Sequence, residues 1–112
     1  MTKESVPDQI NPPQAYQDFT HQYPKLLEAW EKVAEAGNEG PLDEKTIRIV
    51  KLAIAIGALR EGAVRAGARK ALSQGIRKEE IDQIIALATS SVGFPATVAV
   101  FSWVQDVLDA EA

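Results

Sequence analysis

Cysteine is absent from the 112 residues, and histidine occurs once, at His21. Without a thiol the chain has no disulfide, no thiolate metal site, no iron–sulfur cluster and no cysteine redox cycle. A histidine metal site or a Ser-His-Asp triad would need His21 or a histidine from another subunit. Long apolar runs are missing too: the longest, residues 52–59, falls far short of the ~20 residues a membrane span needs. Basic blocks are missing as well. Sixteen acids against twelve Lys and Arg leave a net charge of −4, with no cationic stretch suited to nucleic acid. The opening "MTKESVPDQINPP" is polar and proline-rich, unlike the apolar segment of a signal peptide, so the expected address is the cytoplasm. Neither a membrane nor a nucleic-acid partner is expected, and neither a metal nor a cofactor.

What is present suits one globular domain. Apolar residues make up 46% and charged residues 25%, too apolar for a disordered chain. A chain of this length buries roughly two-thirds of its unfolded surface on folding. Residues 1–13 hold three of the six prolines and no apolar period, and read as a flexible arm before a single domain over 14–112.

From Ala15 the apolar spacing is helical throughout. Tyr16, Phe19 and Tyr23 fall three and four apart. Pro24 suits the first position of a second helix, striped by Leu26, Leu27, Trp30, Val33 and Ala34 and closed near Gly37. Asp43 is a natural N-cap for a third helix, apolar on nearly every side from Ile47 to Ile56 and therefore expected to be buried. A fourth runs to about Ser73, with Gly75 just past its end. "IRKEEI" opens a fifth, "SSVGFP" (90–95) breaks it, and a sixth carries Val98, Phe101, Trp103, Val104, Val107 and Leu108. No period-two run appears, so the fold class is all-α, with about six helices.

The fourth helix, "LREGAVRAGARKAL" (59–72), mixes small residues with charge. Glu61, Arg65 and Arg69 lie at i, i+4 and i+8, a face that can carry an ion pair. Ala63, Gly67 and Ala71 make a neighbouring row on which another helix can pack closely. Gly62 and Gly67 each cost up to about 1 kcal/mol of helix propensity relative to alanine, which suggests that the space is used.

Residues 40–108 carry a wider pattern: "LDEKT", an alanine-rich helix, "EGAV…ARKAL", then "G" with "EEI", and "GFP" before an apolar helix. In this order the pieces resemble the carboxymuconolactone decarboxylase family, which includes the alkylhydroperoxidase D-like proteins. The resemblance implies a helical fold and symmetric homo-oligomers, trimers or hexamers, with sites near subunit interfaces. Peroxidase-type members of that family carry a Glu, a Cys-x-x-Cys pair and a His. Those positions fall here on Arg48, Arg60, Ala63 and Gly67, so all four are replaced. A cysteine-free branch, similar through "EGAV" and "GFP…SWV", tends to have histidines where this chain has Arg65 and Gly67. The resemblance thus points to a family frame without thiol peroxidase chemistry, a scaffold or pseudoenzyme.

Two alternatives keep a site. A cofactor-independent lyase acting on a small carboxylated lactone would use Glu61 as proton carrier, with Arg60, Arg65 and Arg48 as carboxylate-binding residues. A binding module would hold a small molecule in an interfacial cavity beside Ala63 and Gly67. Against catalysis stand an ordinary Glu61–Arg65 ion pair and a pairing of Arg48 with Glu61 or a neighbouring subunit's acid. His21 reads as a structural histidine. Trp30, Phe101 and Trp103 read as core or interface anchors, and Ser90, Ser91 and Ser102 have no evident base.

Overall fold

Six helices and no strand make up residues 14–111, the part of the protein that a computed structural model describes. The arm expected over residues 1–13 lies outside the described residues. Each helix boundary has a local cause. Helix α1 (Gln14–Gln22) stops just before Pro24, which sits in the first turn of α2 (Pro24–Gly37), where its missing N–H goes unneeded. Asp43 caps α3 (Glu44–Gly57) by accepting the Thr46 N–H at 2.8 Å. That hydrogen bond holds the Asp43 carboxyl below its usual range. Helix α4 spans Glu61–Ser73, and α5 (Lys78–Val92) opens with Glu80 accepting the Arg77 N–H at 2.9 Å. The expected break at 90–95 narrows to Gly93, at φ 90°, and α6 (Phe94–Glu111) begins at once.

Helices α3 and α4 end in the same way. After α4, Gly75 and Ile76 donate their N–H groups to the carbonyls of Leu72 and Ala71, both at 3.0 Å, with Gly75 at φ 86°. After α3, Leu59 and Arg60 donate to Ile56 and Ala55 at 2.9 and 3.1 Å, with Leu59 at φ 54°. This closure needs a left-handed residue, which glycine supplies freely. A side chain there costs roughly 1–2 kcal/mol. Leu59→Gly is therefore expected to raise the free energy of unfolding by up to about 1 kcal/mol, read from urea midpoints at one protein concentration. A lower midpoint would show that the contacts of the Leu59 side chain, 43% exposed, outweigh the backbone strain.

Helices α3 to α6 form the packed unit, with α3 against α4 and α5, and α6 against α4 and α5. Its largest fully buried side chains are Leu52, Ile56, Ile81, Val64, Val100 and Val104. The small residues of α4 make a packing seam. Gly67, Ala68 and Ala71 are buried, and a Cβ built on Gly67 would meet Leu52 Cδ1 at 3.2 Å. Within the single chain Leu52 fills the space at Gly67, while Ala63 is exposed.

Helix α3 also departs from expectation. It buries only Leu52 and Ile56, while Ile54 is 65% exposed. Helices α1 and α2 pack on each other and bury no residue. Phe19 and Tyr23 bring their ring centroids to 5.2 Å, and Trp30 remains 61% exposed. Of the expected anchors, only Trp103 packs against the core; Trp30 and Phe101 are exposed on the single chain. No helix among the described residues is long and apolar enough to cross a membrane.

Candidate functional site

The fourth helix begins at Glu61, one turn before Arg65, and the two side chains meet. Arg65 donates to Glu61 Oε2 from Nε at 3.0 Å and from Nη2 at 2.9 Å. The same Nη2 reaches Asp106 Oδ2 on α6 at 3.1 Å. Glu61 foremost holds the guanidinium above the usual arginine range, against a loss of hydration, and Asp106 adds to the effect. The spacing in the sequence anticipates the Glu61–Arg65 pair. It does not anticipate Asp106, which lies far along the chain and reaches Arg65 only because α6 packs on α4.

This geometry suits a strap between two helices better than proton transfer. A general base works best partly dehydrated and with its acceptor oxygen facing the substrate. The Glu61 side chain is 51% exposed, and its Oε2 already accepts two hydrogen bonds from a fixed cation.

Arg48 sits elsewhere, for a topological reason. Helices α3 and α4 are joined by three residues, so they run antiparallel, and the start of α3 lies beside the end of α4. Arg48 is therefore brought to Lys70, and not to Glu61, Arg60 or Arg65. Among the described residues no contact pairs Arg48 with Glu61, the first of its two expected partners, and none links it to Arg60 or Arg65. Burial lowers the pKa of Arg48, and its Nε is buried without a hydrogen-bond partner. Burial foremost, then the charges of Arg48 and Lys51, lowers the pKa of Lys70. Lys51 and Lys70 escaped the sequence reading because nothing in their spacing marks a meeting between two helices.

The remaining candidates stay separate. Arg60 is exposed in front of α4 and has no ion-paired acid among the described residues, and neither has the half-buried Arg69. His21 is exposed in the last turn of α1. Ser102 donates to the Ala99 carbonyl at 2.7 Å, a hydroxyl turned back on its own helix. Among the described residues no three His, Cys, Asp or Glu side chains are grouped so as to hold a metal ion.

The four positions at which the resemblance places Glu, Cys, Cys and His therefore hold a half-buried arginine, an exposed arginine, an exposed alanine and a buried glycine packed on Leu52. None offers a thiol or an imidazole. The helical frame around them is complete nonetheless, from the Asp43 cap through the α4 seam to the Gly93 break. No curated protein and no solved structure matches the chain. The family model described as "Carboxymuconolactone decarboxylase family" matches residues 24–106, from the first turn of α2 into α6 and well over half the chain. With this match and an all-helical fold, the chain belongs to the carboxymuconolactone decarboxylase family, as a member without cysteine.

Proposed function

We propose that this chain is a self-associating helical scaffold of its family, working without thiol peroxidase chemistry. The observation that carries the reading is the replacement of the whole redox motif, at Arg48, Arg60, Ala63 and Gly67, within an otherwise complete frame. Reduction of a hydroperoxide by that motif needs a thiolate to attack the peroxide oxygen, and no residue here can form one. Self-association is supported by what the single chain leaves uncovered. Phe94, Val98 and Phe101, at i, i+4 and i+7 of α6, form an exposed apolar stripe, and α1 and α2 expose Phe19, Leu26 and Trp30. Soluble monomers rarely leave apolar patches of that extent open to water. The resemblance favours a trimer or a hexamer.

The competing reading makes the protein a lyase on a small carboxylated lactone, with Glu61 carrying the proton and Arg60 and Arg65 holding the carboxylate. One set of assays separates the two. With dithiol reductants, hydroperoxide is expected to disappear no faster than in buffer, and saturable turnover would sink the proposal. Small carboxylated lactones are expected to remain unchanged with both the parent protein and Glu61→Gln. Turnover by the parent that the variant loses would establish the lyase instead.

A further inference from the structure

The electrostatics of α3 and α4 leave three cations together, none of them ion-paired among the described residues. Five of the described Lys and Arg residues have an acidic partner: Lys32, Lys45, Arg65, Arg77 and Lys78. Arg48, Lys51 and Lys70 have none among the described residues, although acids outnumber cations in the chain. They nonetheless lie close enough that Arg48 and Lys51 both act electrostatically on Lys70. Like charges gathered this way repel one another, and an anion joining them relieves that repulsion.

Two cavities meet at this cluster. A groove of about 470 Å³ between α2 and α3 carries Lys51 and Lys70 on its lining, beside Trp30, Val33, Val50 and Ile54. No carboxylate lines it. A second cavity of about 330 Å³ carries Arg48 together with Glu44 and shares Asn38, Leu42 and Ile47 with the first. The groove is of ligand size, mostly apolar, with its polar groups gathered toward one sign of charge. The Arg48 Nε, buried and unpartnered, is a donor without an acceptor, a condition folded proteins rarely leave unanswered.

We propose that the α2–α3 groove binds a monocarboxylate with an apolar body, its carboxylate held by Lys51 and Lys70 with Arg48 behind them, its body lying on Trp30, Val33 and Ile54. The charge demands an anion, and the apolar wall demands more than a bare one. Small dianions and inorganic anions meet the first demand only. Every residue of the site comes from one chain and Glu61 is not among them, so the inference stands apart from any lyase role of Glu61; Trp30 belongs both to this groove and to the face offered for self-association.

Titration calorimetry with the full chain tests it, using 4-phenylbutyrate, the neutral 4-phenylbutan-1-ol and butyrate as probes. The phenyl acid is expected to bind about tenfold or more tightly than the alcohol, as charge-assisted hydrogen bonds imply. It is expected to exceed butyrate by a similar factor through the buried ring. The Lys51→Gln/Lys70→Gln double variant should lose about tenfold or more toward the acid and little toward the alcohol. Lys25→Gln, an exposed cation on α2 outside the groove lining, should change neither. Circular dichroism checks that each variant is folded. Equal affinity for acid and alcohol, undiminished binding by the double variant, or no heat from the acid at millimolar concentration would overturn the proposal. So would binding that disappears as the protein associates, which would show that a second copy closes the groove.

Discussion

Leu52→Ala is expected to lower the free energy of unfolding by about 3 kcal/mol, within the range of roughly 2–5 found for such core truncations. Leu52 is 1% exposed and sits where α3 meets the glycine seam of α4. Its removal withdraws a large apolar group and leaves a void that two packed helices cannot close without shifting. The contact with Gly67 makes the prediction sharper. In the parent, Gly67→Ala gains up to about 1 kcal/mol of helix propensity, but its Cβ would lie 3.2 Å from Leu52 Cδ1, closer than side chains normally come. The two effects oppose, and the single variant is expected to be near neutral. In the Leu52→Ala background the obstacle is gone, and Gly67→Ala should recover about 1 kcal/mol. Denaturant midpoints of all four proteins, at one concentration, give the coupling. Additive effects would show that Gly67 is not held small by Leu52.

That pair illustrates what the sequence makes legible and what it does not. Helix boundaries follow from local chemistry: Pro24 opening α2, the Asp43 side chain capping α3, Gly75 turning left-handed after α4. The seam of small residues is likewise visible as a spacing, and so is the Glu61–Arg65 pair. What lies opposite is not visible, because it depends on which helices pack and in which direction. Asp106 comes to Arg65 from α6, and Lys70 comes to Arg48 only because α3 and α4 are antiparallel. Leu59 hides for another reason. The left-handed turn after α3 falls on a leucine while Gly57, two residues earlier, attracts attention and ends the helix in an ordinary conformation. Helix α3 buries only Leu52 and Ile56: apolar periodicity marks the residues that favour cover and does not say what packs on them.

Phe101→Asp is expected to reduce the protein to its single-chain mass of 12.2 kDa at micromolar concentration, with its helix content intact. Phe101 is 44% exposed on the single chain, so an aspartate there is solvated once the chains part. Within an association built on the Phe94, Val98 and Phe101 stripe, the same carboxylate would be buried without a partner, at a cost of several kcal/mol for each contact made. Symmetry repeats that cost at every interface of a closed ring. Ser102→Asp places the same charge one residue away, off the stripe, and is expected to leave the association in place. If both variants keep the parent's mass, the stripe is not the contact.

This family frame, with its redox motif replaced, is proposed to persist as a self-associating scaffold. The mass of the unmodified protein in solution, by light scattering behind size exclusion or by sedimentation equilibrium, tests it most directly. A closed multiple of 12.2 kDa is expected, three or six chains, held on dilution to low micromolar concentration. A single species at 12.2 kDa across that range would contradict it, leaving the apolar faces of α1, α2 and α6 uncovered.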